Sequence, residues 1–254
     1  MIEKKNSLNI EGSKYESTIG KSKFIILKKN NQVLDEDISS ITNLWGIEKE
    51  SDRTKDKAFA KIEETKNSLI FYGKASDIQC KTICGYPSIR IGKSPWDKRE
   101  LFEIGQVKKY KKVDIFTSWI FNVTGESANF AYDVWITKNK DGELTRDDVE
   151  LMVWLDKNKD FKYWGDLGNF KDFNVRYKRK DISWNNGGHV MAFIYLSKKN
   201  QRKFDLIELI SHCSKKIANI GDYHIRSIEL GTEFAKNTEV QIELKKAEIN
   251  FIEK

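Results

Sequence analysis

Apolar and polar residues alternate along most of this chain with a period of two, the spacing that sends successive side chains to opposite faces of a strand. The alternation is clear over residues 23–28, 68–72, 113–123, 128–136, 149–155, 173–177, 190–196, 224–230 and 239–252. These segments are rich in Val, Ile, Phe, Trp and Tyr, which suit a pleated, half-buried surface. Turn sequences such as Lys140-Asp141-Gly142 and Asn186-Gly187-Gly188 separate them. Nine or more strands within 254 residues predict an all-β sandwich or barrel.

One segment changes period. Leu206, Ile210, Cys213 and Ile217 recur in steps of four, three and four, Asp205 and Glu208 form a capping signal, and Gly221 lies just beyond. This predicts a single helix packed on the sandwich. Residues 1–17 are polar and are expected to fray. The highly charged stretch 48–67 is expected to be an exposed loop or a short helix inserted between strands. No linker composition divides the chain, so residues 1–254 are read as one domain.

Charge and cysteine content narrow the classes. Lys and Arg total 45 against 38 Asp and Glu, a net charge of +7. That balance permits a nucleic-acid-binding β-barrel, but the lysines are spread in pairs such as Lys111-Lys112 and Lys198-Lys199, without an arginine-rich helix or zinc-finger spacing. A solvated lysine-rich surface and no nucleic-acid partner are the expectation. The longest apolar runs fall short of a bilayer span, so no membrane partner is expected. Cys80 and Cys84 could bridge locally, whereas Cys213 lies on the apolar helix face and reads as core. The start, Met1-Ile2-Glu3-Lys4-Lys5, lacks the apolar stretch of a signal peptide, so either the chain is intracellular or a leader has been removed.

Most familiar chemistries find no support. His189, His212 and His224 lack metal-ligand spacing, no nucleophile elbow is present, and Gly187-Gly188 fits a hairpin better than a phosphate cradle. No metal or cofactor is implied. The acids on strands are more informative. In 149–155 the alternation puts Val149, Leu151, Val153 and Leu155 on one face and Glu150, Met152 and Trp154 on the other. In 129–135 it groups Asn129, Ala131, Asp133 and Trp135. A single outward acid on an antiparallel sheet is ordinary; repeated Trp beside acids points to a cleft. Such a surface suits polysaccharide cleavage, because sugar rings stack their C–H faces on aromatics and acetal cleavage needs two carboxyl groups.

The strand Glu150-Leu151-Met152-Val153-Trp154-Leu155 resembles the nucleophile strand of glycoside hydrolase family 12, jelly-roll endo-β-1,4-glucanases. Asn43-Leu44-Trp45-Gly46 is similar to the family's N-terminal cleft motif. Tyr132-Asp133, seventeen residues before Glu150, is similar to the family's Tyr-Asp pair whose aspartate assists the nucleophile, and Asn129 matches another cleft position. Gly231-Thr232-Glu233, with Glu233 eighty-three residues beyond Glu150, is similar to the acid/base motif. The resemblance runs from Asn43 to Glu233 and also places the single helix. It departs from the family at Phe234-Ala235-Lys236-Asn237, where a Pro or bulky residue and then glycine usually follow, and at 158–165, where a proline- and glycine-rich loop is usual.

The resemblance implies a jelly-roll sandwich of two antiparallel sheets with one α-helix, and retaining hydrolysis of β-1,4-glucans such as cellulose, mixed-linkage glucan or xyloglucan. Glu150 would be the nucleophile, Glu233 the acid/base and Asp133 the partner of Glu150. Asn43, Trp45, Asn129, Met152 and Trp154 would contact the sugar. Trp45 is expected to be a stacking platform, Trp119 and Trp184 core or rim residues, and Trp96 is open. The expected enzyme is a monomer acting on extracellular polymer. The alternative is a non-catalytic carbohydrate-binding jelly roll.

Overall fold

A computed structural model describes residues 8–12, 16–80, 82–93, 95–96, 102–145, 147–159, 165–171, 173–178, 189–195, 199–217 and 220–254. The first strands are β1 (Asn9–Gly12), β2 (Glu16–Gly20), β3 (Ile25–Lys29), β4 (Gln32–Val33), β5 (Ile38–Thr42), β6 (Ala58–Glu64), β7 (Leu69–Ala75), β8 (Ser88–Gly92) and β9 (Gly105–Gln106). They are followed by β10 (Tyr110–Gly125), β11 (Asn129–Thr137), β12 (Val149–Lys157), β13 (Gly165–Phe170), β14 (Phe173–Lys178), β15 (His189–Tyr195) and β16 (Gln201–Asp205). Helix α1 (Leu206–Ile217), β17 (His224–Gly231) and β18 (Thr238–Glu253) complete the chain.

Among the described residues these strands form two facing sheets. One runs in the order β1-β6-β7-β18-β10-β16, with β3 on β18 and β4 on β3; the other runs β13-β14-β15-β12-β11-β17-β8-β5-β2, with β9 on β17. Pairing is antiparallel except for β12 with β15 and β3 with β18. The inner faces share one apolar core that reaches from Leu8 to Phe251. Phe130 of β11 meets both Phe71 of β7 and Trp119 of β10, with ring centroids 6.1 and 5.8 Å apart.

Local sequence explains the details. Along β18, Val240, Ile242 and Leu244 are buried, and the phase then slips so that Ala247 and Ile249 are next. The register shift against Ser118 and Trp119 falls at Lys245-Lys246, the signature of a β-bulge. The helix forms where the 3.6 period predicted it. The Asp205 carboxylate accepts from the Ile207 N–H at 2.9 Å, as an N-cap should, and from the Val113 N–H of β10 at 3.2 Å, pinning the helix to the sheet.

Two expectations are corrected. The charged stretch 48–67 is not merely a loop or helix: after a short 3₁₀ turn (Glu50–Asp52) it forms β6, paired with β1 and β7, with Ala58, Ala60 and Ile62 fully buried. Small alanines alternating with Phe59, Lys61 and Glu63 hid the period beneath the charge. Nor are residues 1–17 uniformly frayed, because Leu8 is buried and β1 completes the sheet edge. Residues 160–164, Trp184 and the 186–188 turn lie outside the described residues.

Candidate active site

The ten-stranded sheet carries the site on the face turned away from the shared core. Val149, Leu151, Val153 and Leu155 of β12 are fully buried in that core. Met152 and Trp154 join Ala131 of β11 in a separate apolar cluster on the opposite face, where Glu150 also stands. Cross-strand register aligns the polar residues. Trp135 lies opposite Glu150, and Asp133 lies between Met152 of β12 and Glu229 of β17.

Glu233, in the turn after β17, is fixed by Asn129. The Asn129 side-chain N–H₂ donates to Glu233 Oε2 at 2.6 Å, and Asn129 Oδ1 accepts the Glu233 backbone N–H at 3.2 Å. The Asn129 N–H donates to the Glu233 carbonyl at 3.0 Å, and Thr232 Oγ1 donates to the Asn129 carbonyl at 2.6 Å. Burial pushes the Glu233 carboxyl up to about 7, although the Asn129 hydrogen bond works against the rise.

The other acids converge on one region. Asp133 is buried, and its Oδ1 has no hydrogen-bond partner among the described residues. Burial first, and then the charges of Glu150, Glu229 and Glu233, hold its carboxyl well above the usual range; Arg90 opposes them. The same four acids act on the phenol of Tyr86, which burial already raises well above its ordinary value. Tyr86 Oη donates to the Ala131 carbonyl at 3.1 Å beneath this floor.

Three segments build one wall. The Gly46 N–H donates to the Cys84 carbonyl at 3.1 Å, the Tyr86 N–H to the Asn43 carbonyl at 2.6 Å and the Cys84 N–H to the Phe234 carbonyl at 2.8 Å. A Cβ on Gly46 would stand 1.7 Å from the Ile83 carbonyl oxygen, so the segments approach as only glycine allows. Cys80 and Cys84 are joined by a disulfide in this wall, and Cys213 is a buried free thiol. Trp45 projects from the wall, 42% exposed, while Asn43 is half-buried. At the other ends of the strands, Trp96 is 58% exposed and meets the buried Trp135 edge-on, with centroids 6.0 Å apart. Trp119 is core, its indole N–H donating to Asp156 Oδ2 at 3.1 Å.

The predicted residues therefore fall into two groups: Asn129, Asp133, Glu150, Met152, Trp154 and Glu233 on one sheet face, and Asn43 and Trp45 on the adjoining wall. Sequence reasoning overlooked Tyr86, Arg90 and Glu229. A period-two signal was available for Glu229, since Ile228 and Leu230 are core and Ser227, Glu229 and Gly231 share the opposite face. The departure after Glu233 also has an explanation. Phe234 is fully buried and its ring packs over Gly73 of β7, where a Cβ would come within 2.5 Å of it, anchoring the turn that carries Glu233.

Two facing β-sheets with a carboxylate- and tryptophan-lined outer face are the arrangement that a polysaccharide-cleaving glycosidase needs. The chain belongs to glycosyl hydrolase family 12, whose family model matches residues 38–250. A search of curated protein sequences finds no match. Similar solved structures include a native family 12 xyloglucanase from Bacillus licheniformis, 17% identical, with a TM-score of 0.71 over 93% of this chain and 100% of that one. An endoglucanase from Rhodothermus marinus is 15% identical, with a TM-score of 0.66 over 96% of this chain and 100% of that one. The xyloglucanase domain of NopAA, a type three effector from Sinorhizobium fredii in complex with cellobiose, is 16% identical, with a TM-score of 0.60 over 93% and 96% of the two chains. At these identities the likeness establishes the fold. Family membership makes the protein a glycoside hydrolase acting on polysaccharide. Among the described residues no helix is long and apolar enough to cross a membrane.

Proposed function

We propose that this protein is an endo-acting β-1,4-glucanase that cleaves with retention, the whole chain serving as one monomeric catalytic domain. Glu150 attacks the anomeric carbon, the glycosidic C–O bond breaks, and Glu233 gives its proton to the departing oxygen. Water then attacks the glycosyl-enzyme ester and passes a proton to Glu233, restoring both groups. Asp133 orients Glu150 and shares a proton with it, so the two titrate as a unit. Asn43 and Trp45 line the path of the glucan, the buried Met152 and Trp154 form the floor beneath it, and Asn129 acts on it through Glu233. Because a polymeric glucan cannot enter a cell, the reading implies action outside it.

The observation that supports this most directly is the state of Glu233. A carboxyl raised to about 7, within electrostatic reach of Asp133, is a competent proton donor near neutrality, as the acid role requires. Similar structures named as a xyloglucanase, an endoglucanase and an endo-1,4-β-glucanase support a β-1,4-glucan backbone as substrate. The test is turnover of carboxymethyl-cellulose, mixed-linkage glucan and xyloglucan by Glu150→Ala and Glu233→Ala. Both variants are expected to fold and to lose hydrolysis, and the native enzyme is expected to release the β-anomer first by NMR. Near-normal turnover in either variant overturns the assignment, and an α-anomer overturns retention.

A further inference from the structure

A buried ion pair stands beside the proposed site without belonging to it. Arg90 of β8 donates through Nε to Glu229 Oε1 at 2.8 Å and through Nη2 to Glu229 Oε2 at 3.5 Å, and Ser88 Oγ lies 3.5 Å from the same Oε2. Both partners are buried. Glu229 is the cross-strand neighbour of Asp133 on β17, and Arg90 is the cross-strand neighbour of Glu229 on β8. The groups acting on Asp133 are thus Glu150 from β12, Glu229 from β17, Glu233 from the following turn and Arg90 from β8. Three of them are acids.

A buried ion pair adds little to stability compared with an apolar pair of the same size, so stability alone is a poor reason to place one here. Its position supplies a better one. Left without a cation, Glu229 would be a second buried carboxylate competing with Glu150 for the proton of Asp133. We propose that Arg90 is a positioning residue for the reaction: by holding Glu229 in a two-point ion pair, it leaves Asp133 to engage Glu150. This rests on the assignment of Glu150 as nucleophile. A guanidinium suits the task because its planar fork meets both carboxylate oxygens and it stays charged when buried.

The experiment compares pH–rate profiles and thermal stability of Arg90→Met, Arg90→Lys and Glu229→Gln on a soluble β-1,4-glucan. The acidic limb reports ionisation of the Asp133–Glu150 pair. Removing the Arg90 cation should move that limb upward by about one pH unit and lower kcat about tenfold, with KM changed less than about threefold. Removing the Glu229 anion leaves Arg90 uncompensated and should move the limb downward. Arg90→Lys keeps the charge and should hold the limb near the native position. A structural role alone would lower stability in all three with the limb unmoved, and that result overturns the proposal. If Arg90→Met does not fold, Glu229→Gln and Arg90→Lys decide the matter between them. Failure of the underlying reading shows separately, as turnover retained by Glu150→Ala.

Discussion

Asn129 grips Glu233 at both ends of its amide: Nδ2 donates to the carboxylate at 2.6 Å, and Oδ1 accepts the Glu233 backbone N–H at 3.2 Å. The first bond favours the ionised carboxylate and the second fixes the turn that presents it. Together they restrain where the proton donor points, and they keep its affinity for the proton below what burial alone would set.

The consequence is a pH shift of known sign. In Asn129→Ala the hydrogen bond that lowers the Glu233 value is lost while burial remains, so the alkaline limb of kcat/KM should move upward from near pH 7. Because the carboxyl is also less well placed, kcat should fall about tenfold or more. A limb that moves downward or stays in place contradicts the account.

Stability should carry the opposite mark of the same group. Glu233 is raised from 4.5 to about 7, so both folded and unfolded chains are protonated well below pH 4.5 and no penalty exists there. As the pH climbs through 4.5 to 7, the unfolded chain ionises first and the folded state is progressively disfavoured. Glu233→Gln should therefore be stabilised at pH 8 by up to about 3 kcal/mol, each pKa unit being about 1.4 kcal/mol, and unchanged at pH 4. Urea unfolding at the two pH values checks this, and an equal difference at both would refute it.

The anchor of the same turn is testable from the other sheet. An Ala Cβ at Gly73 would lie 2.5 Å from the Phe234 ring, so Gly73→Ala must displace Phe234 and with it the backbone that carries Glu233. A stability loss of about 1–3 kcal/mol is expected, together with reduced kcat. Phe234→Leu in the same chain makes room, and the pair should be more stable than the sum of the single changes predicts. Simple additivity would show that the two positions do not communicate.

How far the sequence disclosed all this depends on burial. The face carrying Glu150, Met152 and Trp154 was legible because its neighbours Val149, Leu151, Val153 and Leu155 are uninterrupted core. Strands β5 and β8 were not, although both are buried: Ile38–Thr42 and Ser88–Gly92 are only five residues each and mix serine with isoleucine. With β8 unseen, Arg90 had no face and could not be paired with Glu229. Strand β6 was hidden by its charged flanks. Tyr86 was beyond reach for a different reason. It lies on no strand, and its place under the carboxylates depends on the Asn43 carbonyl catching its N–H from another segment.

The tryptophans offer the sharpest separation of binding from folding. Trp45 and Trp96 expose 42% and 58% of their surface at opposite ends of the strands, whereas Trp119 is core with its indole N–H satisfied by Asp156. A flat exposed indole can stack on a sugar ring without contributing much to the core. Trp45→Ala and Trp96→Ala should therefore raise KM for a long glucan severalfold and shift unfolding by less than about 1 kcal/mol, as surface changes do. Trp96→Ala should also loosen Trp135, whose ring it meets at 6.0 Å, and so cost more kcat than Trp45→Ala because Trp135 lies opposite Glu150. Trp119→Ala should behave in the reverse way, losing about 3–5 kcal/mol of stability with native KM in whatever fraction folds. Thermal unfolding alongside KM for the three variants tests the division. A large stability loss in Trp45→Ala would make that ring a structural residue and leave the wall without its platform.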